Sequence, residues 1–187
     1  MTYYGGKELA AAFRTVRNNT LKIAEEIPES KYGFSAAADS RTVQQTLDHV
    51  ALSTNFQHTV HSDKVTDLAK LNFPDFVKRM ADAEAVKRTK AETIALLKNE
   101  GEKFAAFLES LPESVLAEKV KMPPGAEPAE KSRFEMLMSA KEHEMHHRGQ
   151  LMTMQRMIGI VPHITRQFQE RMAQRMAAAP AAPQAQA

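Results

Sequence analysis

The stretch HEMHHRGQL, His143 to Leu151, admits two readings that demand different folds. Its first five letters match the zinc-protease pattern H-E-x-x-H, with Glu144 as the general base beside a metal. The same letters give H-x-x-x-H, two imidazoles one helical turn apart that ligate one metal from inside a helical bundle. A protease needs a sheet over the motif helix to bind the substrate backbone. It also needs a third ligand downstream, where Glu170 is the only carboxylate and His163 the only histidine.

Working outward, Met136, Ala140, His143, His147, Leu151, Met154 and Ile158 advance by three or four residues and lie on one stripe of a helix. Ser132 and Glu135 have the spacing of a capping box and predict its start, while Gly159 and Pro162 stop it after Ile158. Three further helical patterns precede it. The first runs from about Lys7 to Glu26 and ends before Pro28. The second runs from about Arg41 to His61, with Ser40 as N-cap. It carries Val43, Leu47 and Val50 on one face and His49, Leu52 and Phe56 on another, which suits an inner helix with several neighbours. The third starts at Phe76 or Ala83 and ends at Leu111, with Gly101 as a soft spot. Its stripe comprises Ile94, Leu97, Phe104, Phe107, Leu108 and Leu111.

The connections Ser62 to Phe76 and Pro112 to Lys131 are long enough to permit an order other than simple up-down-up-down. Only Val115 to Met122 hints at a strand. A last helical pattern covers Ile164 to Met176, and the Ala/Pro/Gln run after it lacks core-forming side chains. The expected fold is therefore all-α: a four-helix bundle with an additional C-terminal helix and a disordered tail. One domain spans residues 1–176 and the tail spans residues 177–187. No sheet is in prospect, so the protease reading loses its scaffold.

Composition narrows the function. Lys and Arg total 25 against 23 Asp and Glu, for a formal net charge of +2, which gives no reason to expect a nucleic-acid partner. No apolar run is long enough for a membrane span, and the first residues lack the apolar stretch of a signal peptide. There is no cysteine, hence no disulfide, thiolate ligand or cysteine nucleophile. A cytoplasmic protein is expected.

In a bundle the third ligand comes from a facing helix. His49 is the candidate, because it shares its stripe with Leu52 and Phe56. His58 and His61, near the end of the second helix, read as exposed. His146 lies about 100° around the helix from His147 and reads as a surface residue or one that contacts a ligand. Glu144 and Arg148 read as solvated helix surface, as do Lys141 and Glu142. Gln150, three residues past His147, is in reach of that ring. A di-iron carboxylate site needs two Glu-x-x-His motifs, and Glu144 to His147 is the only one present.

Three stretches resemble the DinB-like (DinB/YfiT) metal-binding four-helix bundles: RTVQQTLDHV (41–50), AKEHEMHHRGQLMTMQRMIG (140–159) and IVPHI (160–164). The likeness extends over most of Lys7 to Arg166, and HHRGQL below an upstream histidine is its most specific part. The resemblance implies His49, His143 and His147 as ligands of one divalent metal, with zinc and nickel both associated with the family. Imidazole ligands suit either. It also implies a small-molecule substrate and, as in several members, a low-molecular-weight thiol used in transferase or isomerase chemistry. The function expected is a metal-dependent enzyme, a thiol-dependent S-transferase or a hydrolase, with no catalytic residue assigned. The alternative is a non-catalytic metal-binding protein of the stress-response type. A homodimer is expected too, with Met152, Met154, Met157, Met172 and Met176 available for an interface.

Overall fold

A computed structural model describes residues 4–178. The bundle is built from α1 (Gly6–Glu26), α2 (Val43–Ser62), α4 (Lys90–Ser110) and α6 (Arg133–Met157), with α3 (Phe73–Glu84) lying outside it against α2. A single turn, α5 (Glu113–Leu116), and a short antiparallel pair, β1 (Lys119–Lys121) with β2 (Glu130–Ser132), fill the connection before α6. A final helix, α7 (His163–Ala178), touches α1. It runs two residues into the expected disordered tail, whose remainder lies outside the described residues.

Capping chemistry sets these boundaries. Ser132 accepts from Glu135 N–H and Glu135 accepts from Ser132 N–H, the reciprocal box expected at the start of α6. At the other end Gly159 has φ 85, with Gly159 N–H on Arg156 O and Ile160 N–H on Gln155 O. That is a Schellman closure, and it needs the left-handed conformation glycine tolerates.

Three expectations are corrected. The cap of α2 is Thr42, boxed with Gln45; Ser40 instead bonds the backbone of Ala37 within the preceding turn. The third helical pattern is two helices, because Asn72 caps α3 and Thr89, boxed with Glu92, caps α4. The residues between them are held by Arg88, which reaches Ala83 O, Val86 O and the Asp48 carboxylate. The strand hint at Val115 to Met122 resolves into α5 followed by β1, paired with a segment that had no strand pattern.

In the bundle, α4 packs against both α1 and α2, and so does α6. The consecutive helices α1 and α2 thus occupy opposite corners, made possible by the long connections. The core has two apolar halves and a smaller third cluster of Val60, Val120 and Met136 by β1. One half gathers Leu21, Ile23, Leu47, Val50, Leu97 and Leu151; the other gathers Phe13, Phe104, Leu108 and Leu137.

Between them lies a polar layer. Arg17 of α1 donates from Nε to both Glu144 oxygens at 3.0 Å, from Nη1 to Leu97 O at 2.7 Å and from Nη2 to Val50 O at 3.2 Å. One side chain therefore ties all four bundle helices. Glu144 is 1% exposed, so its reading as solvated surface is wrong. A buried carboxylate is tolerated here because the guanidinium meets it within hydrogen-bond range. Arg148 is half-buried rather than solvated.

Candidate metal centre

His49 sits in the first half of α2, and His143 and His147 sit one turn apart on the facing stretch of α6. Their rings converge. His143 Nε2 lies 3.2 Å from His49 Nε2 and 3.1 Å from His147 Nε2, and one ligand atom from each of the three falls within 4.8 Å of the others. The helical step places the two α6 rings side by side, and the α2–α6 packing brings His49 across to meet them.

The outer nitrogens show what the inner ones present. His49 Nδ1 is 2.7 Å from Glu84 Oε1 at the end of α3, and His147 Nδ1 is 2.7 Å from Gln150 Oε1. A carboxylate and an amide oxygen are acceptors, so each Nδ1 carries the proton and donates it. The Nε2 atoms of His49 and His147 then carry lone pairs aimed inward. Burial pushes His143 down to about 4, with His147 and His49 adding to the effect. Burial also lowers His147, against the bond to Gln150. Three imidazole nitrogens at hydrogen-bond distance from one another are a donor set that a divalent cation suits. Acceptors bonded to the outer nitrogens are also how ligating histidines are usually held.

Two clefts meet at this cluster. The first, of about 640 Å³, opens between α2, α3 and α6 and reaches His49 and His143. Its walls are mainly apolar: Phe56, Phe73, Phe76, Val77 and Met80. The second reaches His147 and is lined by polar groups, among them Asp39, Thr46, Gln150 and Thr153. Arg41 borders both.

The three histidines singled out from sequence are thus brought together, and Gln150 contacts His147 as expected. His146 is exposed and bonds Gln150 at 3.2 Å, a place on the rim rather than in the cluster. His58 and His61 stay outside it, but neither is exposed. His58 packs on Phe107, and His61 is 3% exposed between Gln57 and Arg133. The start of α6 docks against that end of α2, which no local pattern in α2 announces. Glu84 was missed altogether, since its stretch read as one unbroken helix. Glu144 points to Arg17 rather than to the histidines, so the base an H-E-x-x-H protease requires is engaged elsewhere.

The profile of the DinB superfamily matches residues 12–151. No curated protein matches the sequence. Among solved structures, YjoA, a DinB-like protein from Bacillus subtilis, is 24% identical with a TM-score of 0.61, covering 81% of this chain and 92% of its own. YfiT from Bacillus subtilis, described as a probable metal-dependent hydrolase with an unusual four-helix bundle topology, is 15% identical with a TM-score of 0.62, covering 86% and 91%. A mycothiol-dependent maleylpyruvate isomerase is 13% identical with a TM-score of 0.60 over 81% of this chain, which spans only 63% of that enzyme. At these identities the likeness carries the fold. Among the described residues no helix is long and apolar enough to cross a membrane.

Proposed function

The chain belongs to the DinB superfamily, and from that premise we propose that it is a divalent-metal-dependent enzyme acting on a small molecule, with His49, His143 and His147 as the metal's ligands. The observation that carries this reading is the convergence of three imidazole nitrogens where two clefts meet, one of them mainly apolar. A purely structural metal site is closed, whereas a catalytic one keeps positions free.

The residues divide the work plainly. Glu84 and Gln150 each accept an Nδ1–H and fix the tautomer and the ring plane of His49 and His147. Burial keeps His143 and His147 neutral, so their lone pairs are available near pH 7. The apolar walls offer a substrate body a surface on one side of the cluster. A divalent ion, zinc or nickel in our reading, supplies Lewis acidity that activates water or a thiol. The absence of cysteine from the chain means a thiol nucleophile would come from a low-molecular-weight thiol. The reactions proposed are S-transfer with such a thiol, or hydrolysis. The descriptions of the isomerase and of YfiT support the pair. We further take the protein to act in the cytoplasm and as a homodimer, for which Met157, Met172 and Met176 offer exposed apolar surface.

The test starts with metal analysis of the purified protein, where about one divalent ion per chain is expected. His49→Ala and His143→Ala should each lose it, and unchanged metal content in both overturns the site. Metal-loaded protein is then assayed with several small thiols against electrophiles, and with hydrolysable esters and amides. Metal binding without turnover of any would replace the enzyme with a metal-binding protein.

A further inference from the structure

α3 is the odd helix of the fold. It has no buried residue, although Phe73, Phe76, Val77 and Met80 form a continuous apolar face. Phe73 is 55% exposed and Val77 47% exposed. Its contact with the bundle is with α2, where Phe56 meets Phe76 and Phe73 edge-on at 5.2 and 6.3 Å between ring centres. The rest of that face looks into the cleft. A helix whose apolar side is half-covered by protein, and whose last turn supplies Glu84 to His49, is arranged to be covered by something placed in the cleft.

The charge at the inner end says what that something carries. Glu84 engages His49 through Oε1 at 2.7 Å, and its Oε2 is 4.0 Å from Arg41 Nη2, the outer limit of an ion pair. Among the described residues that is the one ion pair of Arg41, whose side chain is 47% exposed. The guanidinium thus borders both clefts beside the histidines, with donors to spare for a carboxylate. The other cleft that Arg41 borders has no Phe or Tyr side chain in its lining, whereas the first has Phe56, Phe73 and Phe76, so an aryl body fits the first.

We propose that the cleft beneath α3 binds a small amphiphilic acid, its aryl or short alkyl body against Phe73, Phe76, Val77 and Met80 and its carboxylate on Arg41. We rest this on the function proposed above, in taking the cleft as the substrate pocket of that site. A monoanionic head offsets the positive charge of Arg41, and a body of this kind removes the exposed apolar face of α3 from water.

The probes are 4-phenylbutyrate and its neutral counterpart 4-phenylbutan-1-ol, titrated calorimetrically into the metal-loaded full chain. The acid should bind saturably and about tenfold more tightly than the alcohol. Arg41→Gln should abolish that difference by weakening the acid alone. Val77→Glu, at a half-exposed position, should weaken both ligands, and Met80→Glu repeats the test if Val77→Glu melts early. No saturable binding of the acid, equal binding of acid and alcohol, or binding untouched by the α3 variants overturns the assignment. Metal analysis of the same samples separates the two readings. Acid bound through Arg41 and α3 in protein that never holds metal keeps the pocket and removes the metal-dependent function. Metal bound with no acid binding does the reverse.

Discussion

Replacing Gly101 with alanine sets two effects of opposite sign against each other. Gly101 lies inside α4, where alanine is favoured over glycine by about 1 kcal/mol from helix propensity alone. The structure argues the other way. A Cβ at this position would sit 2.9 Å from both Cγ and Nη1 of Arg17 and 3.3 Å from its Cδ. Carbon atoms rest at about 3.5–4.0 Å, so the arginine would have to yield by more than half an ångström. It has little freedom to do so, being 3% exposed and bonded to Glu144, Leu97 O and Val50 O. Overpacking of this kind costs about 1–3 kcal/mol. Pulling Arg17 off Glu144 would add about 3–5 kcal/mol for the stranded buried charge, so bending within the pair is the cheaper response. Net of the propensity gain, Gly101→Ala should destabilise by about 0–2 kcal/mol and lower the melting temperature by up to about 8 °C. Thermal melts and urea titrations of the metal-free protein measure this directly. In an Arg17→Ala, Glu144→Ala background, which has neither the Cγ nor the charge, the same substitution should stabilise instead. A rise in wild-type stability on Gly101→Ala, or equal effects in the two backgrounds, would refute the packing account.

Glu84→Ala should weaken metal binding about 10–100-fold, because the acceptor that orients His49 is lost. Competition with a chromogenic chelator reads the change, and an unaltered affinity would remove Glu84 from the site. Burial, and after it the Arg133 guanidinium, push His61 down to about 4 from 6.5. A histidine lowered on folding contributes stability above its unfolded value, and that contribution is lost as pH falls from 6.5 towards 4. The loss from this residue is about 3 kcal/mol, so stability measured across that window should fall less steeply in His61→Gln than in wild type. Parallel curves would contradict the assignment. Thr89→Ala removes the cap that separates α4 from α3 and should cost about 1 kcal/mol by urea titration, whereas no change would mean the box is idle.

Where the signals were local, the structure could be read from the chain. The capping box at Ser132 and the glycine stop at 159 bound α6 almost to the residue, and the stripe between them put His143 and His147 on one face. His49 followed from its apolar neighbours. What stayed hidden depends on partners distant in sequence. Glu144 looked like surface because a lone glutamate usually is. Its burial is bearable only through Arg17, 127 residues upstream, and nothing near Glu144 encodes that pairing. α6 in fact buries two sides, one with its histidines towards α2 and one with Glu144 towards α1, whereas periodicity was read for one. Glu84 escaped for a different reason. Lysines and glutamates continue across the break between α3 and α4, so the helical pattern ran on where Thr89 starts a new helix.

The Arg17 layer has a consequence for how the helices are set against one another along their length. Apolar surfaces are forgiving, and two greasy helices can slide by a turn and still bury similar area. Arg17 does not permit that. A slip of α6 by one turn, about 5.4 Å, would leave Glu144 facing leucine and phenylalanine instead of guanidinium. The same slip would carry His143 and His147 a full turn past His49. The ion pair on one side of α6 therefore acts as the ruler for the histidines on the other side, and the chain holds its site at the right height with a contact that never touches it.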